Sequence, residues 1–454
     1  MLLVCLLLLS SLFSPSFSLK ILQIVPGFTN SHVLFNYRLA DTLTTLGHSV
    51  KMWTQMEMAM LDTGNNALPQ GVHEYRIHIQ FKDKLKLEGL KVFQSMIFNS
   101  GDAYELWWTG QEFKSMRIEA CEQMLSLPDS LFDEWRKEEF DLAIAHFHDL
   151  CPLAIANAMG IKKIVWITHG TSIYDFTALS LGLRTLPSMI PHPLSSAERL
   201  LDFPRPLPLT ISFTGELGKG KSPKDDVTRS FPPPLSSILE GIDKGLIVFS
   251  LGTVSNTTNM PRIMIDSFVD AFSRVSGYTI VWRMEMSLPQ TDKIPHLHLL
   301  KWLPQRELMR HPKMKLLIAH GGYNSLLETA QAGIPAVLMP LFADQKINAQ
   351  RALRYGIAKV LDKQKLTSDA VYDAVMGVLE DDGYTKNARR LSSMLSDRPP
   401  SGGPNAAFNY LLKLSTKDQR FFSLESARRL SFVQFYSLDI FLLIPLFAIV
   451  ILSI

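Results

Sequence analysis

Short apolar runs alternate with amphipathic stretches along most of the chain. "KILQIVPG", from Lys20, is a run of β-branched and aliphatic residues that reads as a buried strand closed by Pro26-Gly27. Ser31 to Leu46 then carries apolar residues at helical spacing and stops at Gly47, and "HSVKMW" reads as a second strand. The same grammar returns in "FDLAIAH", a helical stretch and "KKIVWIT". A Pro-rich, charged stretch interrupts it, from "FPRPLPL" at Phe203 through "GKGKSPKDD" to "FPPPL" at Phe231. Beyond it, strands are predicted at "GLIVFS", "YTIVWR", "HLHLLKW", "KLLIAH", "PAVLMP" and "AKVL", with helices between. Alternation of this kind predicts parallel sheets covered by helices on both faces. The expected fold is α/β, with two doubly wound, Rossmann-like domains facing each other across a cleft. Their expected ranges are 19–215 and 236–430, joined by a linker over 216–235; no sequence repeat links the halves.

The two ends carry different signals. Residues 1–18 read as a secretory signal: the apolar run Leu2 to Leu9 is too short for a bilayer, and Ser16-Phe17-Ser18 offers small residues for cleavage before Leu19. Cys5 would leave with it, so Cys121 and Cys151 remain, which make no disulfide framework and have no zinc spacing. At the other end, 15 mostly apolar residues follow Asp439, and Val433 to Ile454 suffices for one span, preceded by Arg428 and Arg429. The expected topology is a lumenal body held in the endoplasmic reticulum membrane by a C-terminal transmembrane helix. In that compartment the sequon Asn256-Thr257-Thr258 could be glycosylated. The net charge of +3 is small for 454 residues, and no basic run is interleaved with aromatics, so nucleic acid is not an expected partner.

Candidate chemistry concentrates in "IAHGGYNSLLETAQAGIPAVLMPLFADQ", Ile318 to Gln345. His320 closes a strand, Gly321-Gly322 make a sharp turn, and a helix follows from Tyr323 to Ala332, ending at Gly333. Open α/β sheets bind ligands beyond the carboxyl ends of their strands, and a helix N-terminus there suits a phosphate. Asn324 and Glu328 follow His320 at i+4 and i+8. At about 1.5 Å per residue that face is roughly 12 Å long, the reach of a ribose plus diphosphate. Glu328 would accept from ribose hydroxyls, while Asn324 and Ser325 meet the phosphates. A solvated helix face is the competing reading of this pattern alone. Trp302 offers a flat surface for a base and Gln305 an amide for base or ribose. Ser250, Gly252 and Thr253 close another strand where backbone can approach a phosphate, and Asp344-Gln345 suit the hydroxyls of a sugar.

These segments, "WLPQ", "HPK", "HGGYNSLLE" and "GIPAVLMPLFADQ", resemble the signature of the UDP-glycosyltransferases, in order and correctly spaced. The resemblance is to the membrane-anchored animal UDP-glucuronosyltransferase type and extends to "PGFTNSH" and "FYSLDIFLL". It implies a GT-B fold, with an N-terminal acceptor domain and a C-terminal UDP-sugar domain. It also implies inverting transfer of a hexosyl group, glucuronate or glucose, to a small lipophilic acceptor, an activity of the detoxification kind. The UDP-sugar would be a co-substrate, with no cofactor and no metal, and a homo-oligomer is compatible with it. By resemblance the general base is His32 in "TNSH"; an imidazole with an ordinary pKa near 6.5 suits that task. UDP is already a good leaving group, and His320 with the helix N-terminus can offset the charge it gains.

Two departures stand out. Many family members place a carboxylate after the strand "FDLAIAH" to orient the histidine; here His146 stands there, and Asp149 is the nearest substitute. The segment between "PHPLSSAE" and "RLLDFPRP" is much longer in the family. A non-catalytic UDP-sugar-binding relative is therefore the alternative to an enzyme. His146-x-His148 lacks a third metal ligand, and no G-x-G-x-x-G follows the first strand, which argues against a nicotinamide oxidoreductase.

Overall fold

A computed structural model of the chain describes residues 18–27, 30–56, 68–81, 97–98, 115–146, 151–168, 193–195, 198–202, 212–213, 231–252, 255–342, 344–396, 431 and 433. Residues 1–17 of the expected signal sequence, most of the linker, the membrane segment beyond Val433, and the candidates Asp149 and Thr253 lie outside these residues. No described helix is long and apolar enough to cross a membrane.

In the first half, β1 (Lys20–Pro26) leads into α1 (Asn30–Thr45), followed by β2 (Ser49–Met56) and β3 (His73–His78). Helix α2 (115–125) and α3 (Asp129–Arg136) precede β4 (Leu142–His146), α4 (Cys151–Ala158) and β5 (Ile164–Thr168). Short strands β6 (Pro193–Ser195) and β7 (Ser212–Phe213) complete a seven-stranded parallel sheet of order β3-β2-β1-β4-β5-β6-β7. Successive residues of β1 go to opposite faces. Ile21 and Val25 join the cluster packed on α1 residues Val33, Tyr37 and Ala40, while Leu22 and Ile24 join Trp53, Phe132 and Trp166 on the other. Burial on both faces is why the strand reads as a continuous apolar run rather than an alternating one.

The second half has α5 (Leu235–Glu240), β8 (Gly245–Ser250), α6 (Arg262–Arg274), β9 (Tyr278–Arg283), β10 (Leu297–Leu300) and the single turn α7 (Gln305–Leu308). It continues with β11 (Met314–Ala319), α8 (Tyr323–Ala332), β12 (Ala336–Leu338), α9 (Gln345–Arg354), β13 (Ala358–Val360), α10 (Ser368–Leu379) and α11 (Asp382–Ser396). Its six strands are all parallel, in the order β10-β9-β8-β11-β12-β13. Here too β8 divides its residues, Ile247 and Phe249 to one core and Leu246 and Val248 to the other.

Both sheets therefore reverse their winding once, between β1 and β4 in the first and between β8 and β11 in the second. These are the switch points at which doubly wound sheets open a crevice.

Two short segments of the first half pack on the second. Ile97 and Phe98 are buried in the core of β8, β9 and α6, with the Lys363 ammonium donating to the Ile97 carbonyl at 2.6 Å. The chain also leaves the first sheet after β6 and makes a single turn at Arg199–Leu201 before returning at β7. In that turn Leu201 is fully buried against Leu235, Leu239 and Tyr323. These residues fall within the range expected for the first domain, so the two halves are interlocked along the sequence.

The cysteines correct the sequence reading: Cys121 on α2 and Cys151 at the start of α4 form a disulfide, with Cα atoms 5.7 Å apart.

Candidate functional site

At the switch point of the second sheet, β8 ends at Ser250 and β11 at Ala319, side by side. Beyond β8, Gly252 has φ +80°, and a Cβ built there would lie 2.6 Å from the His320 ring. A Cβ on Gly322 would lie 2.6 Å from His320 Nε2. The imidazole is therefore sandwiched between two glycines, which only residues without a side chain permit at this distance. Gly321 adopts φ +82°, turning the chain into α8, whose first residues have no side-chain cap. The helix therefore keeps its N-terminal N–H groups available for a ligand. His320 Nδ1 is enclosed without a hydrogen-bond partner among the described residues. Burial, and secondarily the charge of Arg283, push the imidazole pKa down to about 4. Near neutral pH the ring is thus neutral, so it can offer an anion a hydrogen-bond donor rather than the cation implied by charge offset.

Along the same helix, Ser325 is buried and Glu328 half-buried. Gln305 Nε2 donates to Glu328 Oε2 at 2.8 Å and to Ser325 Oγ at 3.2 Å, so three expected site residues already form one cluster. Trp302 stays 40% exposed, with one face 5.4 Å from the Arg283 guanidinium carbon. Ser250 Oγ accepts from the Gly252 N–H at 3.4 Å, and Asn324 lies half-buried in the first turn of α8. At the far side, Gln345 spends its Oε1 on the Leu341 and Phe342 N–H groups, at 2.8 and 3.1 Å. Its Nε2 alone can serve a ligand hydroxyl. Asp344 is the N-cap residue of α9 without capping it; its Oδ2 accepts from Asn348 Nδ2 at 2.9 Å.

Sequence reasoning missed Arg283. This guanidinium, 5% exposed, donates to the Gly252 carbonyl, to Glu285 Oε1 at 2.6 Å and to the Lys301 carbonyl at 3.4 Å. It joins the aromatic platform to the glycine loop, and burial lowers its pKa. The available signal was a cation closing an apolar strand at its carboxyl end. Glu285 is fixed in turn by Thr257, whose neighbour Asn256 caps the turn Thr257–Asn259 by accepting from the Thr258 N–H at 3.0 Å.

The first sheet places histidines at its own switch point. His32 lies in the first turn of α1, inside the helix rather than ahead of it, and His146 ends β4; their ring centroids are 5.8 Å apart, edge to face. Beneath them runs a buried chain. Gln23 Nε2 donates to Asn36 Oδ1 at 2.6 Å, and Asn36 Nδ2 donates to the His32 carbonyl and contacts His146 Nε2, both at 2.8 Å. With Oδ1 taken by Gln23, Asn36 presents N–H to His146, so His146 Nε2 accepts and the ring carries its proton on Nδ1. His146 is thus a neutral packing partner and supplies no negative charge.

The family model for UDP-glucoronosyl and UDP-glucosyl transferase matches residues 194–454, more than half the chain. The chain belongs to this family. A Caenorhabditis elegans protein named as UDP-glucuronosyltransferase ugt-60 is 56% identical over 498 positions, covering 96% of this chain and 97% of the relative. That alignment is longer than the 454 residues here, so the relative carries internal residues without counterpart in this chain. A UDP-glucuronosyltransferase of the fish Pleuronectes platessa is 32% identical over 271 residues, 59% of this chain and 56% of its own length. Among solved structures, Os79 from O. sativa in complex with UDP aligns with a TM-score of 0.62 at 16% identity, covering 87% of this chain and 99% of that one. The glycosyltransferase of kitacinnamycin aligns at 0.60 and 15%, covering 87% and 98%. These likenesses establish the GT-B-type fold, and the family makes this UDP-glycosyltransferase an enzyme of sugar transfer.

Proposed function

We propose that this glycosyltransferase moves a hexosyl group, glucuronate or glucose, from a UDP-sugar to a hydroxyl of a small lipophilic acceptor, with inversion. The observation that carries the reading is the His320 imidazole held between Gly252 and Gly322 at the uncapped start of α8. That geometry suits a diphosphate, and its surroundings suit the rest of the donor: Trp302 for the base, Glu328 with Gln305 for the ribose, Asp344 and Gln345 for the sugar. In the reaction the acceptor oxygen attacks the anomeric carbon, its proton passes to the His32 imidazole, and the bond to UDP breaks with its electron pair going to the phosphate oxygen. Helix N–H groups and the neutral His320 would meet that developing charge without reorganising. The Cys121–Cys151 disulfide supports a body that folds in an oxidising lumen, in keeping with a signal over 1–18 and an anchor over 433–454.

A second reading, a UDP-sugar-binding protein without turnover, is favoured by His146. The family carboxylate is absent there, and the residue present is neutral and engaged with Asn36.

A panel of UDP-sugars tested with mixed phenols and steroids separates the two. His32→Ala is expected to lower turnover by about 10²- to 10⁴-fold with UDP-sugar affinity near wild type. Near-normal turnover of this variant at every pH defeats the base assignment; a wild type that binds UDP-sugar without turnover establishes the second reading.

A further inference from the structure

Outside the residues assigned above, one buried polar chain reaches directly into the donor site. Asn348, fully buried on α9, donates from Nδ2 to the Gly321 carbonyl at 3.0 Å and to Asp344 Oδ2 at 2.9 Å. Its Oδ1 accepts from Arg351 Nη1 at 2.7 Å, and Arg351 Nη2 donates to Asp202 Oδ1 at 2.7 Å. The side chains of that ion pair are 2% and 4% exposed. Arg354 Nη1 donates to the Asp202 carbonyl at 2.9 Å, Tyr355 donates its hydroxyl to the Leu200 carbonyl, and the Glu198 N–H, just ahead of the same turn, donates to the Tyr323 hydroxyl.

We infer that Asn348 and Arg351 are positioning residues for the donor sugar, acting through Asp344 and anchored by Asp202 from the first half of the chain. The inference rests on Asp344 being a sugar contact. The Arg351 guanidinium can only donate. It therefore forces the Asn348 amide to turn its oxygen towards the guanidinium and its nitrogen towards Gly321 and Asp344. An aspartate at an N-cap ordinarily turns its carboxylate onto the helix N–H groups. Here the carboxylate makes no capping bond, and Asn348 holds one of its oxygens instead. The other oxygen, Oδ1, has no partner among the described residues and is left for a hydroxyl. The same amide grips the Gly321 carbonyl, so the phosphate turn and the sugar carboxylate are set by a single side chain. Asp202 neutralises Arg351 and lies on the turn that the first half inserts into the second, which makes the alignment of the sugar site dependent on that docking.

Calorimetry with UDP, UDP-glucose and UDP-glucuronate on the full chain tests this through the ratio of UDP-sugar to UDP affinity. Asn348→Ala is expected to lower that ratio about tenfold for the sugar that binds, the size of one hydrogen bond to a charged group. In an Asp344→Ala background the same change should have no further effect on the ratio, because the pair acts as a unit. Additive losses, or a ratio altered by Asp344→Ala and untouched by Asn348→Ala, overturn the relay alone. A ratio unchanged by Asp344→Ala overturns the sugar contact and the relay with it. Where Asn348→Ala fails to fold, Arg351→Lys serves: it keeps the charge but cannot span Asn348 and Asp202 with two nitrogens. A smaller loss in the ratio is expected from it, and none overturns the proposal.

Discussion

Lowering the pH should tighten UDP-sugar binding, and His320 should be the cause. In the empty site, burial and then the Arg283 charge hold its pKa at about 4, against an ordinary 6.5. That difference corresponds to about 3 kcal/mol held against protonation. A diphosphate arriving at Gly252, Gly322 and the α8 N-terminus places negative charge beside the ring and returns the pKa upward. The complex then binds more protons than the empty protein, so affinity rises as pH falls through the pKa of the complex. If that value regains about 6.5, affinity at about pH 5.5 should be about tenfold that at about pH 7.5. A UDP-sugar is the correct ligand, because its diphosphate is a diester with no titration near neutrality, unlike free UDP. Calorimetry in buffers of different ionisation enthalpy reads the proton uptake directly. His320→Gln retains a neutral donor and should give a flat profile. A flat wild-type profile, or an unchanged slope in His320→Gln, would show that the anion does not sit against this ring.

Three further outcomes follow from the remaining contacts. Glu328→Ala should weaken UDP and UDP-sugar alike, by about tenfold or more, since a ribose contact is common to both. Asp344→Ala should spare free UDP and weaken only the UDP-sugar; equal losses for both ligands in both variants, measured by calorimetry, would refute this division. Replacing Cys121 and Cys151 by serine should destabilise the first sheet by about 3–4 kcal/mol, given the 30-residue separation they close. Thermal unfolding with and without reductant checks it, and an unchanged midpoint would mean the bridge does not form in the protein.

The strands were legible because each is buried on both faces and so leaves a continuous apolar run. "GLIVFS" and "KLLIAH" became β8 and β11 almost residue for residue. The turn into α8 was legible as well, since Gly321 and Gly322 have few uses at the end of a strand other than a close approach, and Gly333 ends α8 in the left-handed conformation expected of it. What stayed hidden were polar residues inside the core. Gln23, Asn36, Arg283, Asn348 and Arg351 look, in sequence, like ordinary polar positions on strands and helices. Each is explained only by a partner that the fold supplies, such as Asp202, 149 positions from Arg351. The pairing of Cys121 with Cys151 was hidden for the same reason, since two cysteines alone fix no distance.

The two switch points use histidine in opposite electrostatic settings. At the donor point, His320 is neutralised by enclosure and by Arg283, while the positive potential comes from uncapped helix N–H groups. Arg283 itself is spent on Glu285 and the Gly252 carbonyl. A diphosphate bound there would meet oriented dipoles rather than a free cation, an arrangement that need not be rebuilt as charge shifts to the leaving phosphate. At the acceptor point, a base needs the reverse: an imidazole that can take a proton and keep it. A family carboxylate would stabilise that imidazolium, whereas His146 offers only a neutral ring at 5.8 Å. On the proposed mechanism, catalysis by His32 would depend on stabilising charge from elsewhere, and the electron-rich diphosphate leaving across the site would be the group chemistry itself provides. On this view the donor is part of the base's environment, so a chain that keeps its donor site intact can lose the carboxylate and still transfer a sugar.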